Sequence, residues 1–144
     1  MRRWKKGFGS VALVLALAGF AATPSRAAPP AAVAVPARVG SMAAAVKVGA
    51  ALFARETFGG ERSCQSCHAN GGRGPDLAGA AAAFPRFVAR SGRVQTLEEQ
   101  VVHCIQAGNR GKPPALGSVA LDDLVAYVTS LSKGSPIGAQ FGGK

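Results

Sequence analysis

The chain has 144 residues and a formal net charge of +10, from 17 Lys and Arg against 7 Asp and Glu. Five basic residues and no acidic ones precede residue 28, so the rest of the chain carries 12 − 7 = +5. The basic residues are scattered and the one tryptophan, Trp4, lies near the N-terminus. This excludes a nucleic-acid-binding surface, and the moderate positive charge instead suits an acidic partner protein or an anionic substrate.

Residues 1–27 have the pattern of a secretory signal peptide. A basic start precedes an apolar run at 11–22, and Ser25 and Ala27 supply the small residues that signal peptidase requires before the cleavage point. The alternative, a retained membrane anchor, needs about 20 apolar residues, and this run is shorter. The sequence therefore predicts secretion into the periplasm, with no stable membrane span after cleavage.

Composition divides the rest of the chain into three parts. Residues 28–41 are rich in alanine and proline, have little apolar surface to bury, and are predicted to be a mobile linker. Residues 42–134 suffice for one small domain, and residues 135–144 are predicted to be a flexible tail. Apolar periodicity from Ala43 to Glu56 predicts the first helix of the domain. Gly49 in its middle costs helix stability, so we expect another helix to cross close to it.

Cys64, Cys67 and His68 form a C-x-x-C-H sequence, the attachment motif of c-type haem. Two thiols at this spacing form thioethers with the two vinyl groups of one porphyrin edge, and the residue that follows then lies beneath the iron. A thioredoxin-like redox site is disfavoured because the βαβ context is missing, and a zinc site because no second pair of ligands completes it. The motif therefore predicts one covalent haem c, with His68 as the proximal iron ligand.

Two more helices are predicted after the motif. Thr96 and Glu99 form a capping box, which predicts a helix that runs to about Ala107 and stops at Gly108. Ser118 is a candidate N-cap for a final helix. The apolar face of that helix comprises Leu121, Leu124, Val125, Val128 and Leu131. The predicted fold class is all-α, a single cytochrome c domain of about four to five helices around one covalently bound haem.

The ligand on the other face of the iron is not a methionine, since Met1 and Met42 both precede the haem motif. The downstream candidates are Cys104, His103, Lys112, Lys133 and Asn109, or no protein ligand. At about 100° per residue, Cys104 falls on the apolar stripe of its helix, where it can meet the haem face, and His103 falls near the edge. The alternative for Cys104 is a buried free cysteine that only packs.

Two segments resemble known cytochromes. Gly74-Pro75-Asp76-Leu77 resembles the part of class I cytochromes c in which a proline carbonyl faces the proximal histidine. Residues 91–104, followed by Gly111-Lys112-Pro113 and Ala126-Tyr127-Val128, are similar to the haem domain of two sulfur-oxidation cytochromes. These are the thiosulfate dehydrogenases and the SoxA subunit of the SoxAX complex. In that pattern a cysteine is the distal haem ligand. The resemblance therefore implies that Cys104 is the distal ligand here, and the second metal ligand beside His68.

The chain departs from that family at three points. Gln100 stands where an arginine that helps to bind the anionic substrate is usual, and Gly108 where thiosulfate dehydrogenases commonly have serine. One C-x-x-C-H is present, whereas thiosulfate dehydrogenases have two haems. Arg93, Arg110 and Lys112 are the candidate catalytic residues of an anion pocket, and the alternative is that they are solvated surface charges.

The residues and the resemblance together favour a periplasmic monohaem c-type cytochrome that transfers one electron in sulfur-compound oxidation. Its expected partner is a redox protein, with another cytochrome subunit as a candidate. The alternative is an enzyme, or an enzyme subunit, that acts on thiosulfate-type sulfur anions at a haem ligated by His68 and Cys104. A redox or gas sensor is the third and weakest interpretation.

Overall fold

The computed structural model describes residues 33–35, 40–69 and 72–138. The predicted signal peptide, most of the predicted linker and the end of the predicted tail lie outside these ranges. Four α-helices, two short helical turns and one two-stranded ribbon form the described chain. In chain order they are α1 (Met42–Arg55), α2 (Cys64–His68), a 3₁₀ turn (Ala80–Ala83), β1 (Arg86–Val88), β2 (Arg93–Gln95), α3 (Leu97–His103), a π-helical turn (Cys104–Gly108) and α4 (Val119–Ser130).

Helices α1 and α4 pack directly against each other, and their crossing point is Gly49. A Cβ atom on this residue would collide with the backbone carbonyl of Asp123 and would lie 2.9 Å from the Cβ of Tyr127. The close crossing predicted from Gly49 is therefore confirmed. Helix α1 begins where Ser41 accepts a hydrogen bond from the amide of Ala44 at 3.2 Å, the usual role of an N-cap serine.

The centre of the hydrophobic core joins α1, the π-helical turn and α4. It comprises Leu52, Phe53, Ile105 and Leu124, all buried. The ring of Phe53 lies 5.2 Å from that of Tyr127 and 6.3 Å from that of His68. The core thus extends directly to the predicted proximal histidine.

The helix predicted from the capping box is present and starts as expected. Thr96 accepts a hydrogen bond from the Glu99 amide at 3.3 Å, and the Glu99 carboxylate accepts one from the Thr96 amide at 3.0 Å. After His103 the helix widens into the π-helical turn, which ends at Gly108 as predicted for the helix. Such π turns are often found at functional sites, and this one begins at Cys104.

Helix α4 also starts at the predicted place, although Ser118 does not cap it with its side chain. Ser118 occupies the N-cap position, but its hydroxyl is buried without a hydrogen-bond partner among the described residues. Leu121, Leu124 and Val128 are buried as predicted, whereas Leu131 is exposed. The apolar face stops before Leu131 because the helix ends at Ser130.

The structure contains a small antiparallel ribbon of β1 and β2, which the all-α prediction did not include. Phe87 pairs with Val94, and a turn containing Gly92, with φ of 64°, joins the two strands. Three-residue strands are too short to give an alternating pattern, which explains why the sequence did not indicate them. The remainder of the described chain has the few helices and little strand of a small cytochrome c domain.

Described residues on both sides of 42–134 contact the domain. Val33 and Val35, within the predicted linker, pack against the core, and the Val33 amide donates to the Glu56 carboxylate at 3.3 Å. At the other end the Gly138 amide donates to the carbonyl of Ala82 at 2.7 Å. Among the described residues, no helix combines the length and the apolar character needed to cross a membrane.

Candidate functional site

The ring of His68 is held in one orientation by the loop that follows α2. Its Nδ1 lies 2.9 Å from the carbonyl oxygen of Pro75, which can only accept, so Nδ1 donates and Nε2 is left free. The Gly74 amide donates to the carbonyl of Cys67 at 2.8 Å, and a Cβ on Gly74 would lie 2.7 Å from the His68 ring. The loop thus packs against the ring edge, and glycine is required there by close approach.

Cys104 and His68 line the same cavity and the same adjoining cleft. The neighbouring Cys104 side chain is the main influence that raises the pKa of His68, against the opposing effect of burial. Burial raises the pKa of the Cys104 thiol, but the nearby His68, the hydrogen bond from Gln100 and the charge of Arg86 outweigh it. The net pKa of Cys104 is therefore lowered, and the surroundings favour an anionic sulfur.

Gln100 and Arg86 form a polar group beside this sulfur. The Gln100 amide nitrogen lies 3.2 Å from Cys104 Sγ, and its oxygen accepts a hydrogen bond from Arg86 at 3.0 Å. The Arg86 guanidinium also stacks 4.7 Å from the centre of the Phe84 ring. Sequence reasoning missed Arg86, because it lies on β1 and its approach to Gln100 depends on the ribbon folding back onto α3.

An apolar cavity of about 340 Å³ lies between α1, α3 and α4, and both His68 and Cys104 line it. Its volume is within the range of small-molecule and cofactor sites. The apolar walls are formed by Phe53, Leu77, Ala80, Phe84, Leu97, Val101, Leu124 and Val128. The mouth of the cavity is polar, since Arg86 and Gln100 line it as well.

The two cysteines of the C-x-x-C-H motif border this region from α2. Cys64 lines the apolar cavity, and Cys67 lines an adjoining cleft that also contains His68 and Cys104. The three cysteines all lie in the described part of the chain, and no disulfide joins any two of them. Burial raises the pKa of Cys64, and the side chain of Asn109 approaches its sulfur at 3.7 Å.

The other candidates for the distal position lie elsewhere. Asn109 is buried against Cys64, and His103 is exposed at the rim of the cleft. Lys112 and Lys133 are exposed and line neither the cavity nor the cleft. Of the five side chains considered, Cys104 is the one that lines the apolar cavity together with His68.

The three basic residues predicted to form an anion pocket do not come together. Arg93 pairs with Glu99 at 2.7 Å, and Arg110 pairs with Glu61 at 3.0 Å on another part of the surface. Lys112 is exposed near Phe58, whose carbonyl accepts from its backbone amide. Arg93 does line a shallow basic cleft, together with Arg86, Arg90 and His103, that adjoins Gln100. The positive charge near Cys104 therefore comes mainly from the ribbon.

A haem c fits this donor set and this cavity. The motif supplies two thiols at the cavity edge, and His68 presents a free Nε2 because Nδ1 is already engaged. The apolar walls suit a porphyrin, and Arg86 and Gln100 add polar groups to the lining. Cys104 offers a sulfur to the same cavity.

Comparisons with known proteins agree with this site. Residues 48–137 match the family model described as the SoxA/TsdA cytochrome c domain. The chain is 33% identical over 98 residues to a thiosulfate dehydrogenase of Thiomonas intermedia, which covers 64% of this chain and 30% of that protein. It is 35% identical over 88 residues to a thiosulfate dehydrogenase of Allochromatium vinosum, and this match covers 56% of this chain and 33% of that protein.

A solved structure shows the same fold. It is the thiosulfate dehydrogenase (TsdBA) from Marichromatium purpuratum, 28% identical, with a TM-score of 0.59 over 81% of this chain and 28% of that chain. The chain spans about a third of the length of the curated relatives it matches. With the family model matching more than half of its residues, the chain belongs to the SoxA/TsdA cytochrome c domain family.

Proposed function

We propose that this chain is a periplasmic monohaem c-type cytochrome that transfers one electron in the oxidation of sulfur compounds. Cys64 and Cys67 would attach the haem, and His68 and Cys104 would bind its iron. The observation that carries the proposal is the placement of His68 and Cys104 together on the lining of one apolar cavity that the motif cysteines border.

The haem supplies one-electron chemistry between ferric and ferrous iron. The residues of this chain set its properties. The Pro75 carbonyl fixes the proton of His68 on Nδ1 and so directs Nε2 toward the cavity. A thiolate from Cys104 donates charge to the iron and stabilises the ferric state, so the redox potential is low.

A redox partner is required, since a single haem stores one electron. The solved relative is a TsdBA thiosulfate dehydrogenase, which supports another cytochrome subunit as the partner. The predicted signal peptide at 1–27 supports export to the periplasm, where this partner would be met.

A second candidate function is catalysis on thiosulfate-type anions, favoured by the basic cleft beside Cys104. Arg86 and Arg90 face this cleft without an ion pair among the described residues. Joining two thiosulfate ions through a sulfur–sulfur bond releases two electrons. One haem accepts them singly, so an external acceptor such as ferricyanide or a partner cytochrome must remove each electron in turn.

The two functions are separated by assay of the haem-loaded chain secreted from a host that matures c-type haem. Haem retained through acid–acetone extraction establishes covalent attachment, and haem that is extracted freely contradicts the proposal. Steady-state assays with thiosulfate, tetrathionate and sulfite, each with ferricyanide as acceptor or reduced dye as donor, then test catalysis. An electron carrier exchanges electrons with dyes and partner cytochromes but shows no turnover with the sulfur anions.

A further inference from the structure

The side chain of Gln100 lies between the guanidinium of Arg86 and the sulfur of Cys104. The Arg86 Nη2 atom lies 3.0 Å from Gln100 Oε1, and Gln100 Nε2 lies 3.2 Å from Cys104 Sγ. Gln100 lies on α3, one helical turn before Cys104 at the start of the π-helical turn, whereas Arg86 comes from β1. Three side chains from three elements are thus joined end to end.

This arrangement determines which end of the amide faces the sulfur. A guanidinium has donors only, so the Gln100 oxygen must face Arg86 and the Gln100 nitrogen must face Cys104. The Cys104 sulfur therefore receives an N–H donor, a contact that favours an anionic sulfur over a thiol. Arg86 thus holds the far end of the amide, and this keeps the N–H end on the sulfur.

The position of Arg86 is itself supported. Its guanidinium lies 4.7 Å from the centre of the Phe84 ring, which restricts where the side chain can extend. Among the described residues Arg86 forms no ion pair, and the Glu99 carboxylate pairs with Arg93 instead. Its charge therefore acts on the amide and on the sulfur behind it.

We infer that Arg86 and Gln100 are positioning residues that hold one N–H donor on the sulfur of Cys104. This inference rests on the proposed function, because it concerns the sulfur that binds the iron there. The chain has a neutral amide next to the sulfur and places the cation one side chain further away. The positive charge acts through the amide dipole, and the sulfur remains free of a direct contact with arginine.

With haem bound, this hydrogen bond would alter how strongly the sulfur donates electrons to the iron. A hydrogen bond to a coordinated thiolate withdraws electron density from the sulfur and weakens its donation to the iron. The ferric state is then stabilised less than by a bare thiolate, and the potential lies higher. Loss of the donor should lower the midpoint potential and change the ferric low-spin electron-paramagnetic signals.

The test uses the haem-loaded chain and four variants. Gln100→Leu removes the donor, Arg86→Met removes the residue that orients it, and the double variant removes both. Arg90→Met is the matched control, because Arg90 lines the same basic cleft but makes no hydrogen bond to Gln100. Each is measured by redox titration and by ferric electron-paramagnetic resonance, with circular dichroism to establish folding.

We expect Gln100→Leu and Arg86→Met each to lower the potential and shift the ferric signals, and Arg90→Met to do neither. The double variant should resemble Gln100→Leu, because Arg86 acts through the amide. Full additivity in the double variant would show that Arg86 acts as a charge alone and would overturn the inference. An unchanged spectrum in Gln100→Leu would also overturn the inference. The proposed ligation by Cys104 is tested separately, because it still holds if the spectrum changes in Cys104→Ala.

Discussion

His68 and Cys104 line the same apolar cavity although they belong to separate helical elements, α2 and the π-helical turn. Each side chain has a partner that fixes it, since the Pro75 carbonyl accepts from His68 and Gln100 donates to Cys104. A nitrogen and a sulfur are thereby presented to one cavity. This relationship makes the two residues separately testable as ligands.

Changing Cys104 tests the ligation directly. Cys104→Met should keep a six-coordinate haem and raise the midpoint potential, because a neutral thioether favours ferrous iron more than a thiolate does. Cys104→Ala should open the iron to carbon monoxide and cyanide. Absorption and electron-paramagnetic spectra measure both outcomes, with exposed His103→Ala as the control. An unchanged spectrum in Cys104→Ala would mean that this cysteine only packs.

Gly74→Ala should disturb the proximal side. The new Cβ would lie 2.7 Å from Cε1 and Nδ1 of His68, so the ring or the loop must move. We expect a loss of about 1–3 kcal/mol in stability, typical of overpacking, and a larger high-spin fraction in the ferric spectrum. Gly108→Ala is the control, because nothing lies within 4 Å of its added Cβ. Equal spectra for the two variants would contradict the close packing of loop and ring.

Asp123 should make stability depend on pH in an unusual direction. Burial, and next the charge of Asp122, raise the pKa of its carboxyl, and its Oδ2 is buried without a partner among the described residues. The folded state therefore holds the proton more tightly than the unfolded state. The stability that Asp123 contributes is complete below its unfolded pKa of about 3.9 and is lost as the pH rises through the higher folded value.

The variant Asp123→Asn cannot ionise and should avoid this loss. We expect it to exceed the wild type in free energy of unfolding by about 1 kcal/mol at neutral pH, and to match it near pH 3. Denaturant titrations at both pH values measure the difference. Asp122→Asn, at an exposed position in the same helical turn, should change stability by less than about 0.5 kcal/mol at either pH. A destabilised Asp123→Asn at neutral pH would show that the carboxylate has a favourable partner.

The segment 33–35 should contribute to stability, contrary to what its composition suggests. Val33 and Val35 pack against the core, whereas Ala34 between them is exposed. Val33→Ser and Val35→Ser should each cost about 1 kcal/mol of lost apolar burial, and Ala34→Ser should cost nothing measurable. Thermal or denaturant unfolding of the haem-loaded chain provides the measurement. Equal stability in all three variants would show that residues 33–35 are a free linker and do not stabilise the domain.

Local features of the chain were predictable because their causes lie within a few residues. The C-x-x-C-H motif is contiguous, and the Thr96–Glu99 capping box spans one turn, so neither depends on the rest of the fold. The packing of Gly49 was predictable for a similar reason, since a glycine within a helix needs a close neighbour to justify its cost. The stripe that places Cys104 inward follows from helical periodicity alone.

The sequence by itself thus determined the haem motif, the main helices and the inward direction of Cys104. The tertiary structure decided which charge reaches the sulfur, since Arg86 meets Gln100 only when a ribbon of two three-residue strands folds against α3. It also decided that Arg93 and Arg110 pair with carboxylates on different surfaces. Contacts between residues far apart in the chain depend on the path of the backbone between them, and no local pattern encodes that path.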